Sequence, residues 1–263
     1  MAELKDKRLF LLDMDGTIYL DEQLFDGTLD FLAHVQKIGG RAMYLTNNSS
    51  KSVSSYVDKL KRLGIEAKPE DFFTSVNATV LHLQKQSFHK IYAFGTNSFK
   101  QQLREGGLPV TDRLEEDIDC LCMGFDTELT FQKLEDACIL LNRGVEYIAT
   151  NPDWVCPTWY GSVPDCGSVA EMLYRATGRR PQVIGKPQPH MVELAVKQSG
   201  FTKDQAILLG DRLYTDIKSG VNAGIDTALV LSGEATLEDL AASDVKPTYV
   251  FENIREFLNH ITE

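Results

Sequence analysis

The chain has no long apolar run, too few cations to balance its acids, and only five cysteines and five histidines. No segment approaches the length needed to cross a bilayer. The start, Met1 to Arg8, has mixed charge, and the apolar run behind it is too short for a signal peptide. An odd number of cysteines in 263 residues argues against a disulfide framework, so a cytoplasmic protein is expected. Cys120 and Cys122 stand two apart, on one face of a strand, with no second pair or nearby histidine to complete a metal site. They read as buried sheet thiols. His34, His82, His89, His190 and His260 are scattered without ligand spacing, so no histidine mechanism follows. Lys and Arg total 27 against 38 Asp and Glu, a formal net charge of -11. Such a surface repels a phosphodiester backbone and an anionic leaflet, which excludes nucleic acid and membrane as partners. A small anionic substrate stays compatible where a few cations gather.

What is present is organised around Leu9-Phe10-Leu11-Leu12-Asp13-Met14-Asp15-Gly16-Thr17. Four consecutive apolar residues suit a strand buried on both faces, as in a parallel sheet. The two carboxylates at its end are costly to bury unless something positive meets them. Helical periodicity follows over residues 28–37, then a strand over 42–45 ending in Thr46-Asn47-Asn48, and helices over 52–63 and 75–84. A second alternation begins at Lys90, with strands over 91–94, 119–123 and 147–150 and helices between them. A looser Pro- and Gly-rich stretch, 157–167, leads to a helix over 168–177. The first style then returns. Strands over 183–184, 206–209 and 227–231 end in Gly185-Lys186, Gly210-Asp211 and Ser232-Gly233, with a short helix over 216–222. Strands alternating with helices call for a parallel sheet covered on both faces. Polar clusters just after the strands (Asp13/Asp15, Thr46/Asn47, Lys186, Asp211) would meet at the carboxyl edge, where such sheets place their sites.

Each cluster also has a structural explanation. Asp-Gly is a common turn, Asp216 can cap a helix, Thr46-Asn47-Asn48 can cap the next one, and lysine is usually solvated. Together these explanations weaken, because aspartates at 13, 15, 211 and 216 would repel if left bare. A hard divalent cation resolves the repulsion, and oxygen donors with retained waters favour Mg²⁺. Asp13 would ligate it through its side chain, Asp211 directly or through water, and Asp216 would hold waters around it. A metal, one lysine and hydroxyl or amide donors suit a phosphoryl group. Thr46, Asn47 and Asn48 would hydrogen-bond its oxygens, and Lys186 would supply a point charge. Asp13 is the natural nucleophile, through an aspartyl-phosphate, and Asp15 the general acid and base.

Asp13-Met-Asp15-Gly-Thr17, Thr46-Asn47-Asn48, Lys186 and Gly210-Asp211-x4-Asp216 resemble the four ordered motifs of the haloacid dehalogenase (HAD) superfamily of phosphatases. Ala149-Thr150-Asn151-Pro152-Asp153, Gly185-Lys186-Pro187 and Gly210-Asp211-Arg212-Leu213-x-Thr215-Asp216 resemble its NagD-type subfamily IIA. That subfamily includes nucleotide, 4-nitrophenylphosphate and pyridoxal-phosphate phosphatases. The resemblance implies a Rossmann-like parallel-sheet α/β core, 1–79 and 183–263, with an inserted α/β cap domain of the C2 type over 80–182. It implies Mg²⁺ held by Asp13, the Asp15 carbonyl and Asp211, and phosphate held by Thr46, Asn47 and Lys186. Two positions depart from the pattern: Tyr214 where many relatives carry aspartate, and Pro164-Asp165-Cys166-Gly167 where they often have Pro-Gly-x-Gly.

Some cap residues must face the leaving group, and Asn151, Asp153, Trp154 and Cys156 are the candidates because they follow a strand. The competing explanation has Trp154 packing a hinge and Asn151 capping a turn. The expected activity is hydrolysis of a small phosphorylated metabolite. A mutase-like phosphoryl transfer and a non-catalytic phospholigand sensor are the alternatives. Nothing in the sequence sets the oligomeric state, and a homodimer stays open.

Overall fold

The computed structural model describes residues 3–262. The chain divides into two compact units. One comprises residues 3–46, 54–73 and 186–262, the other 47–53 and 74–185. The expected boundaries at 79/80 and 182/183 would cut the helix Ser75–Leu83 and the strand Gln182–Val183, and both elements lie whole within the second unit.

The first unit is built on a six-stranded sheet. Its order is Tyr249–Phe251, Asp226–Val230, Ala206–Gly210, Leu9–Leu12, Arg41–Thr46 and Phe72–Thr74. The four pairings among the first five strands are parallel. Leu9–Leu12, Ala206–Gly210 and Asp226–Val230 are buried at every position, as expected for strands with a helical layer on each face. On one face Phe10, Phe31 and Phe257 meet edge to face, at centroid distances of 5.3, 5.6 and 6.2 Å. That packing ties the helices Thr28–Lys37 and Ile254–Thr262 to the central strand. Lys7, buried at the entry to the sheet, pairs with Asp226 and donates to the Asp204 carbonyl at 2.7 Å.

The second unit repeats the architecture with five parallel strands. Their order is Gln182–Val183, Glu146–Ala149, Cys120–Met123, Ile91–Phe94 and Val110–Thr111. Its core is Tyr92, Phe94, Leu121, Met123 and Tyr147 packed under the helices Phe131–Arg143 and Cys166–Thr177. Cys120 and Cys122 are buried in the sheet, as the sequence suggested.

Three local expectations are corrected. The stretch 157–167 is not loose. Val155–Thr158 and Gly161–Pro164 form an antiparallel hairpin. The helix behind it begins at Cys166 rather than Ser168, because the Asp165 carboxylate accepts the Cys166 amide at 2.5 Å and caps the first turn. The departure at Pro164-Asp165-Cys166-Gly167 is therefore a helix cap. Lastly, the expected helix over 216–222 is two elements, a π-helical turn Leu213–Ile217 running into the helix Lys218–Ala223. A wider turn of this kind is frequent at functional sites.

Candidate active site

Parallel register brings distant motifs to one sheet edge. Leu12 lies opposite Tyr44 on one side and Leu209 on the other. Asp13 extends the ladder by one step, its amide donating to the Leu209 carbonyl at 2.9 Å. Asp13, Thr46 and Gly210-Asp211 thus leave the carboxyl ends of three neighbouring strands. Lys186 joins them. Its ammonium, 1% exposed as a residue, donates to Asp13 Oδ1 at 2.5 Å, to Asp216 Oδ1 at 2.6 Å and to the Leu45 carbonyl at 3.0 Å.

Carboxylate oxygens of Asp13, Asp211 and Asp216 lie within 4.8 Å of one another. Asp216 Oδ2 accepts the Arg212 amide at 3.1 Å, and Asp211 Oδ2 accepts the Glu234 amide at 2.8 Å. Asp211 Oδ1 is buried and has no hydrogen-bond partner among the described residues. A buried carboxylate oxygen without a donor is costly, and three acids face one ammonium. Burial pushes the Asp13 carboxyl well up. The Lys186 ammonium opposes the shift, while Asp216 and Asp211 add to it. Burial, then the Asp216 charge, push Asp211 up to about 7. For Lys186 burial works against the charge, but Asp13 and Asp216 outweigh it and hold the ammonium protonated. An all-oxygen donor set with surplus negative charge and an unserved oxygen fits a hard divalent cation.

Backbone shape makes that crowding possible. Gly16 has φ +90°, and a Cβ there would sit 2.4 Å from Asp211 Oδ2. A side chain would therefore be strained and would drive Asp211 out of the cluster. A Cβ on Gly233 would meet the same oxygen at 2.0 Å.

The other predicted residues fall into two groups. Asp15 borders the cluster and faces two residues that sequence reasoning missed, Tyr19 and Lys59. A signal existed: Lys59 lies between Tyr56 and Leu60, both facing inward on the helix Val53–Arg62. Asn47 and Asn48 belong to the second unit. There the Asn47 side-chain amide donates to Asp153 Oδ1 at 2.9 Å, and Asn48 Oδ1 accepts the Ser50 amide at 3.0 Å and its hydroxyl at 2.7 Å. Asn151 and Asp153 are both deeply buried. They are 0% and 2% exposed, and Asn151 donates to Asp165 at 3.0 Å while accepting from Thr150 at 2.7 Å. These bonds join side chains within the second unit. Cys156 is half-buried, its sulfur 4.0 Å from the Asn48 amide, and Trp154 is 49% exposed.

Comparison with known proteins accords with this geometry. Residues 10–109 match the model of a haloacid dehalogenase-like hydrolase, and residues 183–257 match a second, HAD-hydrolase-like model. The acid sugar phosphatase of Staphylococcus haemolyticus strain JCSC1435 is 34% identical over 259 residues, covering 98% of each chain. The chain belongs to the haloacid dehalogenase-like hydrolases. It is a phosphatase of subfamily IIA in that family. Its structure resembles that of 4-nitrophenylphosphatase from Thermotoga maritima, with a TM-score of 0.90, 40% identity and 98% of each chain covered. It also resembles a glycerol phosphate phosphatase from Mycobacterium tuberculosis in complex with magnesium. There the TM-score is 0.89 and the identity 29%, with 98% of this chain and 78% of the other covered.

Proposed function

We propose that this phosphatase is a magnesium-dependent phosphomonoesterase acting on a small phosphorylated metabolite through an aspartyl-phosphate on Asp13. The observation that carries this reading is the three-carboxylate cluster with its unserved Asp211 oxygen, and one buried ammonium touching the nucleophile. Asp13, Asp211 and the Asp15 carbonyl would hold Mg²⁺, with Asp216 reaching it through water. The bound ion would neutralise charge on the transferring phosphoryl oxygens.

The chain's own residues do the rest. An Asp13 oxygen attacks phosphorus while the bond to the leaving oxygen breaks, and Asp15 gives that oxygen its proton. Asp15 then takes a proton from water as the water oxygen attacks the same phosphorus and the bond from phosphorus to the Asp13 oxygen breaks. Inorganic phosphate leaves, and the Asp13 carboxylate and the Asp15 proton are restored. Lys186 offsets charge on the phosphoryl oxygens, and the Thr46 hydroxyl donates to them. Sugar phosphates are the first class to screen, since several relatives are named acid sugar phosphatases. Buried thiols at Cys120, Cys122 and Cys166 fit a cytoplasmic setting.

The test is phosphate release from 4-nitrophenyl phosphate with magnesium, with chelator, and in Asp13→Asn. Activity is expected with the metal only and is expected to fall at least about 10³-fold in the variant. Turnover by Asp13→Asn at the wild-type rate would refute the nucleophile.

A further inference from the structure

Lysine is seldom buried without a partner that needs its charge. Lys59 keeps only 9% of its side chain exposed. Its ammonium lies 3.7 Å from Asp15 Oδ1 and 3.7 Å from the centroid of the Tyr19 ring. The Tyr19 hydroxyl in turn donates to the other Asp15 oxygen, Oδ2, at 3.3 Å. Tyr19 is itself held by the turn that carries the motif: the Gly16 amide donates to its carbonyl at 2.8 Å, and residues 15 and 19 form a bridge.

One oxygen of Asp15 thus faces an ammonium and the other a hydroxyl. We propose that Lys59, acting with Tyr19, is a positioning residue that holds the Asp15 carboxyl in the orientation from which it protonates the leaving oxygen. This rests on Asp15 being the general acid. The Asp15 side chain is 32% exposed, so without these two neighbours it can turn toward solvent. A general acid works only within hydrogen-bond reach of its target, and a shift of about 1 Å can cost about 10²-fold in rate. The contact with the Tyr19 face anchors the ammonium where Oδ1 meets it.

Leaving-group dependence separates positioning of an acid from plain structural support. 4-Nitrophenolate departs without a proton, whereas an alkoxide must receive one. Since kcat/KM runs only to departure of the leaving group, the later attack of water does not enter it. The values are measured for 4-nitrophenyl phosphate, phenyl phosphate and glycerol 3-phosphate with wild type, Lys59→Met, Lys59→Arg, Tyr19→Phe and Asp15→Asn, with melting curves for each. Lys59→Met is expected to lose about tenfold to a hundredfold more on glycerol 3-phosphate than on 4-nitrophenyl phosphate. Phenyl phosphate should fall between them. Lys59→Arg should recover most of the loss, and Tyr19→Phe should show the same bias at smaller size.

Equal losses on all three substrates would overturn the proposal, whatever the melting temperature. Should Lys59→Met fail to fold, Tyr19→Phe keeps the ring and its packing, and absence of bias there is equally fatal. An Asp15→Asn variant without leaving-group bias would sink the general-acid reading itself. A biased Asp15→Asn beside unbiased Lys59 and Tyr19 variants would sink only the positioning role.

Discussion

The two units of this phosphatase have the same plan, a parallel sheet between helices, yet they end their strands differently. In the first unit the carboxyl edge carries Asp13, Thr46 and Asp211, and a buried Asp211 oxygen has no donor among the described residues. In the second unit the strand ends are polar but served. Thr150 bonds to Ser49 at 3.0 Å and to Asn151 at 2.7 Å. Ser49 accepts the Phe125 amide at 2.7 Å, and Asn47 donates to Asp153. Topology alone did not distinguish a reactive edge from a structural one. The difference lies in whether the local hydrogen-bond and charge demands are met inside the fold, and where they are not, a ligand is called for.

The largest expected effect comes from removing the Lys186 ammonium. Lys186→Met leaves Asp13 and Asp216 facing each other with no cation between them. Its kcat/KM on 4-nitrophenyl phosphate should fall at least about 10³-fold. The metal-free protein should lose about 3–5 kcal/mol in urea unfolding, because buried charges are left uncompensated. A Lys186→Met enzyme of near wild-type activity would erase the contrast between the two edges.

In the cap the same kind of change should act on stability. Asp153→Ala removes a partner of the buried Asn47 amide and should cost about 1–3 kcal/mol in urea unfolding. No change in the unfolding midpoint would show that the cap network is not what holds those loops.

A smaller effect ties the acid cluster to pH. Asp211 has its carboxyl pushed up to about 7 in the folded protein, against about 4 in an unfolded chain. A carboxyl raised on folding contributes stability that is fully present below its unfolded value and is lost as pH climbs through its folded value. Without metal, the melting temperature should therefore decline from about pH 4 to about pH 7, insofar as Asp211 governs it. Magnesium takes the place of the proton, so its stabilising shift should widen by a few degrees over the same interval. A magnesium shift that is the same at both ends, in calorimetric scans, would dissociate the ion from Asp211.

Much of the first unit was legible because continuous apolar strands such as Leu9–Leu12 have few other uses than burial on both faces. The Asp13, Lys186, Asp211 and Asp216 cluster was legible for a related reason: polar residues directly behind such strands have only one edge to occupy. The hairpin Val155–Thr158 with Gly161–Pro164 was hidden, since its positions are half-buried or exposed and each strand carries a proline. Asn151 and Asp153 were expected near the leaving group because they follow a strand. Sequence shows the strand end but not that Asn151 bonds to Asp165 and Asp153 to Asn47. Lys59 escaped for the opposite reason, as lysine on an amphipathic helix ordinarily belongs to its wet face.

The central claim is that Asp13 carries the phosphoryl group. Rapid acid quenching of the magnesium-loaded enzyme, reacting with a phosphomonoester labelled in its phosphorus, followed by peptide mapping, tests this most directly. Label is expected on the peptide containing Asp13, to decay on chase with unlabelled substrate, and to be absent from Asp13→Asn. Steady turnover with no label on that peptide at any quench time would contradict it.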